Sequence, residues 1–96
     1  VFEFDPAKSR SNRDKHGLDF AEAQRLWEGP IITFPVPHAE ESRELVVGLI
    51  DGKFWSAIIT HRHETIRIIS VRRSRESESR RWQDHYQHGR PEDDQP

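Results

Sequence analysis

Ninety-six residues, 32% hydrophobic and 33% charged, allow one small domain with a compact core. The absence of cysteine excludes disulfides and thiolate zinc sites as the source of stability, and no apolar run approaches the ~20 residues of a membrane helix. The net charge of −2 hides a segregation, because Arg62 to Arg81 carries seven arginines against three glutamates, and arginine outnumbers lysine twelve to three. Local field rather than net charge steers a polyanion, and arginine favours planar, bidentate phosphate contacts. A cytoplasmic protein that handles phosphate is expected.

In chain order, Val1 to Phe4 reads as a short extended start. Asp5-Pro6 begins a helix, since Asp caps free N–H groups and Pro at the first helical position loses nothing. That helix runs to His16, with Gly17 as its left-handed stop. It is unusually polar and is expected to lie on the outside, burying little. Asp19 and Glu22 form a capping box for a second helix, Phe20 to Trp27, with Phe20, Ala23, Leu26 and Trp27 on one face. Gly29-Pro30 ends it.

Ile31 to Phe34 is a short strand, closed by Pro35-Val36-Pro37, and the charged stretch His38 to Arg43 reads as an exposed loop. Three strands follow: Glu44 to Ile50, Phe54 to His61 and Thr65 to Val71. Asp51-Gly52 predicts a type I′ hairpin turn, and Arg62 to Glu64 makes the second connection. A last helix, Ser74 to Gln87, carries Trp82 and Tyr86 at i and i+4. Residues 1–89 form the single expected domain, and the 90–96 tail, without an apolar residue, is expected to be disordered. The architecture is α+β: two N-terminal helices, a four-stranded antiparallel sheet in meander order, and a C-terminal helix, with helices segregated from the sheet.

Four elements carry a family resemblance: F-E-F-D-P at Phe2 to Pro6, K-H-G at Lys15 to Gly17, D-F-A-E-A at Asp19 to Ala23, and T-x-R-x-x-x-x-R-I-I-S at Thr60 to Ser70, followed by Arg72. In this order and spacing the chain resembles the BrnT toxin family, the ribonuclease half of a bacterial type II toxin–antitoxin pair. It departs where the family commonly has Ala at the place of Val71 and Tyr near the place of Trp82. The resemblance implies a RelE-like fold and RNA cleavage that inhibits translation. It also implies neutralisation by an antitoxin of the BrnA type in a hetero-oligomer; no cofactor is expected.

Cleavage of RNA without a metal needs a proton taken from the ribose 2′-OH, charge stabilised on the phosphoryl oxygens, and a proton given to the leaving 5′-oxygen. Arg67, Arg72 and Arg62 are candidates for the charge, since arginine stays protonated. His16 with Lys15, His61 and Glu64 are candidates for the remaining tasks, histidine being the residue type that exchanges protons near neutrality; His63 has proximity alone. Arg73, Arg80, Arg81 and Trp82 are candidates for RNA contact. Structural alternatives stand beside these: an ion pair with Glu64, Glu76 or Glu78 for Arg67 and Arg72; a solvated turn position for Arg62; a solvated helix face for Arg80 and Arg81; the end of the first helix for His16; the core for Trp82. Arg67 and Arg72 are five apart, so a regular strand would set them on opposite faces. A bulge or the start of the last helix must intervene if they share one phosphate. Two rival classes remain, a metal site built from His61, His63, His85 and His88, and a non-catalytic RNA- or protein-binding module on the same arginine surface.

Overall fold

The first helix, α1 (Pro6–His16), begins and ends as its sequence requires. The Asp5 carboxylate accepts the N–H groups of Ala7 and Lys8, Pro6 occupies the first turn, and Gly17 closes the helix at φ 86°. The computed structural model in which these contacts are seen describes residues 1–39 and 41–88, so the 90–96 tail lies outside the described residues. Asp19 caps α2 (Phe20–Ala23), and the chain then tightens into a 3₁₀ turn, Gln24–Glu28. One continuous helix through Trp27 was expected. Phe20, Ala23 and Leu26 are all essentially fully buried, and their spacing of three suits three residues per turn better than 3.6.

The sheet has five strands: β1 (Phe2–Glu3), β2 (Ile32–Pro35), β3 (Arg43–Ile50), β4 (Lys53–Arg62) and β5 (Thr65–Arg73), in the order β1-β5-β4-β3-β2. Strands β2 to β5 form the expected antiparallel meander, with Asp51 and Gly52 both at positive φ in the first tight turn. The four-stranded, wholly antiparallel sheet needs correction. The extended start is a strand that pairs parallel with β5, Phe2 opposite Ile66 and Glu3 opposite Arg67, with the Ile66 N–H donated to the Val1 carbonyl. A two-residue strand whose partner lies some sixty residues away carries no local signal.

The fold is α+β as expected, with helices on both faces of the sheet. Leu18, Phe20, Ala23 and Leu26 pack on one face, against Val46, Ala57, Ile59, Ile68 and Val71. The last helix, α3 (Glu76–Gln83), covers part of the opposite face, where Trp82 meets Leu45 and Val47. It starts later than expected because β5 continues through Arg72 and Arg73, opposite Ser56 and Trp55, and Ser74 still donates its N–H to Phe54. Its end passes into a π-helical turn, Asp84–His88. Gly48, within β3, leaves little room for a side chain: a Cβ there would sit 2.9 Å from Ile31 Cγ2 and 3.1 Å from Leu26 Cδ2.

Strand β5 is not regular. Ile58 faces Ser70 while Ile59 faces Ile68, so Ile69 is an extra residue, a β-bulge. Beyond Arg67, β5 has no strand beside it on the β1 side, and α1 takes that place. Asn12 of α1 is buried and accepts the Val71 N–H on Oδ1 while its Nδ2 donates to the Leu18 carbonyl; nearby, Ser9 Oγ accepts the Phe20 N–H at 2.8 Å. A helix with almost no apolar face is thus anchored by hydrogen bonds.

Asn12→Ala strands the Val71 N–H and the Leu18 carbonyl, each a buried backbone group. The variant should lose about 2 kcal/mol in urea denaturation; a loss within error of zero would show that Asn12 does not hold the helix to the strand.

Candidate functional site

The bulge decides which side chains of β5 share a face. Arg67 lies opposite Thr60 and Arg72 opposite Ser56, two β4 residues four apart and therefore on one face. The extra residue at Ile69 cancels the odd spacing, so Arg67, Ser70 and Arg72 all stand on the face that α3 partly covers. Val71, Ile68 and Ile66 point into the other core.

Both arginines are already held by carboxylates. Arg67 Nη1 donates to Glu3 Oε2 at 2.6 Å, and Arg62, at the end of β4, approaches the same oxygen at 4.0 Å. Arg72 binds Glu78 end-on, Nη1 to Oε1 and Nη2 to Oε2, both at 2.8 Å, with Nη1 also donating to the Arg73 carbonyl. That geometry leaves the Nε edge of Arg72 without a protein partner among the described residues. Glu78 accepts in addition from the Ser56 hydroxyl and from the Arg75 N–H at the start of α3, and Ser56 meets the Ser74 hydroxyl at 2.7 Å. One carboxylate therefore fixes a strand arginine, caps a helix and ties that helix to β4. Burial pushes the Glu78 carboxyl up, but the Arg72 guanidinium, the Arg75 N–H and the Ser56 hydroxyl outweigh it and hold it at about 2. The bonds to Glu78 raise Arg72 in turn.

Ser70 also faces a second group of residues. Lys8, Ser11, Lys15 and His16 of α1 line an open pocket of about 230 Å³ against Ile69 and Ser70. The K-H-G element and the I-I-S element, fifty residues apart in sequence, thus meet across the β5 edge. The lysine at position 8 and the serines at 11 and 70 were not singled out from sequence. Their signal was the polarity of α1, where Lys8, Ser11 and Lys15 fall on one helical face.

The remaining candidates are dispersed. His61 lies opposite Ile66, on the face away from Arg67 and Arg72, and pairs with Glu44 at 3.2 Å. His63, at φ 57°, and Glu64 form the exposed β4–β5 turn. Arg73 also faces away, its Cζ 5.5 Å from the Trp55 ring centroid and its Nε bonded to the Phe54 carbonyl. Arg80 is exposed and pairs with Glu76. Arg81 lies 4.2 Å over Phe34 of β2, three strands and roughly 14 Å from β5. Trp82 is 5% exposed and donates Nε1–H to the Pro30 carbonyl, a core position. The four-histidine set does not gather: His61 is on β4, His63 in the turn and His85 beside Tyr86, and the His88 side chain lies outside the described residues. Among the described residues no three His, Cys, Asp or Glu side chains are placed to hold a metal ion.

Glu78 has a pH signature. Its carboxylate is depressed in the fold, so the stability it contributes is complete above the ordinary carboxylate range and is lost as pH falls toward about 2. In urea unfolding between pH 5 and pH 2, wild type should lose roughly 2–3 kcal/mol more than Glu78→Gln. Parallel profiles would show that Glu78 is not held as a buried anion.

No curated protein matches the chain. A family model does, over residues 4–78, from the residue after β1 through the first turn of α3. It spans α1, the bulge and Glu78, the elements that build the site. The chain belongs to the BrnT family, ribonuclease toxins of type II toxin–antitoxin systems.

Proposed function

We propose that this chain is a cytoplasmic endoribonuclease that cuts RNA without a metal and so inhibits translation. The observation that carries the reading is the meeting of Lys15 and His16 with Ser70, on the strand that presents Arg67 and Arg72. Together these side chains suit the chemical tasks. His16 takes the proton of a ribose 2′-OH as that oxygen attacks the adjacent phosphorus. Lys15, Arg67 and Arg72 face the charge that accumulates on the phosphoryl oxygens. The bond to the 5′-oxygen breaks, giving a 2′,3′-cyclic phosphate and a 5′-hydroxyl that takes its proton from solvent. Arg62 supports Arg67 through their common partner, Glu3.

Membership of a type II family implies an antitoxin partner. We take this partner to be of the BrnA type, binding as a hetero-oligomer that covers the basic surface. No helix of the described residues is long and apolar enough to cross a membrane.

A labelled RNA incubated with the purified chain in EDTA should be cut to products ending in 2′,3′-cyclic phosphate. Cleavage only after zinc or magnesium is restored would overturn the metal-independent route. No cleavage in any buffer would leave a non-catalytic RNA- or protein-binding module. In cells, Arg67→Ala and Arg72→Ala should each relieve growth arrest on induction while still binding the antitoxin. Full toxicity in both would remove the arginines from the site.

A further inference from the structure

The cations of the described residues differ in whether the fold already neutralises them. Arg62, Arg67, Arg72 and Arg80 each lie within 4.0 Å of a carboxylate. Lys8 and Lys15 form no ion pair among the described residues. They are exposed, seven residues apart on α1 with Ser11 between them, and all three project toward the β5 bulge. No carboxylate lines this pocket. By contrast, Asp19 and Glu22 line the hollow beside Gly17, and Glu41 and Glu44 the one under the 35–44 loop. The α1 pocket thus combines two uncompensated ammonium groups with two hydroxyls and an imidazole. Its walls are held by the buried Asn12 hydrogen bonds to Leu18 and Val71. Ammonium groups are compact point charges, well suited to grip a phosphate that arrives without a counter-charge.

We propose that this pocket seats one backbone phosphate of the RNA, gripped by Lys8 and Lys15 with hydroxyl donors from Ser11 and Ser70. The identity of the polyanion rests on the ribonuclease reading above. Lys8 becomes a substrate-binding residue for the same phosphate that Lys15, Arg67 and Arg72 face, which the arginine side reaches through Ser70.

The test uses the full chain and a single-stranded RNA with 2′-O-methyl groups throughout, which cannot be cut because no 2′-OH remains. Its affinity is measured by fluorescence anisotropy across a salt series. Each phosphate contact adds about 0.7 to the slope of log K against log salt for single strands. Lys8→Ala should lower the slope by about 0.7, and Lys8→Ala with Lys15→Ala by about 1.4. Lys8→Arg should restore it, and Lys53→Ala, beyond the far β3–β4 turn, should leave it unchanged. Alanine preserves the helix, so these losses do not reflect unfolding. Wild-type affinity and slope in Lys8→Ala, from a protein that cuts natural RNA, would overturn the phosphate seat and leave the ribonuclease reading intact. An equal loss in Lys53→Ala would also overturn the seat. The expected slopes in a protein that cuts no RNA would uphold the seat and remove the ribonuclease reading.

Discussion

The extra residue at Ile69 is the constraint on which the rest of the site depends. A strand alternates its side chains strictly, so an odd spacing between two functional residues separates them unless the register slips. Here it slips once, between Ile58 and Ile59 of the neighbouring strand, and Arg67 and Arg72 come to one face. The slip lies where β1 has already ended, so β5 has a free edge there. Helix α1 fills it, using the Asn12 side chain where a strand would have used its backbone. The hydrogen bond that anchors α1 also brings Lys8, Lys15 and His16 against the bulge.

Charge is arranged around this joint in two ways. The strand arginines are paired with carboxylates of the chain, Glu3 from the first strand and Glu78 from the last helix. These pairs fix the guanidinium groups, and through Glu78 they also fix the start of α3. Such partly buried pairs orient groups more reliably than they stabilise a fold, because desolvation offsets much of the attraction. The α1 lysines carry no such partner among the described residues. A rigid, pre-paired arginine face therefore adjoins an uncompensated lysine pocket, and a polyanion would meet strong attraction at one and fixed geometry at the other.

Much of the fold was legible in local chemistry. Asp5-Pro6 and Gly17 bounded α1 to the residue, and Asp51-Gly52 made the expected turn, because capping and positive φ are set by immediate neighbours. The parallel pairing of Phe2 and Glu3 was not legible, since nothing in a two-residue segment names a partner near position 66. The second helix changed form because tertiary burial of Leu26 outweighed helical propensity. For the site, the spacing of Arg67 and Arg72 showed that a bulge was needed without showing where. His61 and Arg73 looked equivalent to their neighbours in sequence, and strand alternation sends both to the opposite face. Trp82 went to the core, where its indole N–H found the Pro30 carbonyl. Lys8 escaped notice because only the packed structure sets its charge, unpaired among the described residues, beside the bulge.

The most direct test of a site at the α1–β5 joint is an amide chemical-shift map of the protein titrated with 2′-O-methyl RNA. Perturbations concentrated at Ser11, Lys15, His16, Ile69 and Ser70, extending to Arg67 and Arg72, are the expected result. Perturbations clustered instead at the groove between β2 and α3, around Phe34, Arg81 and His85, with α1 and the bulge silent, would contradict it.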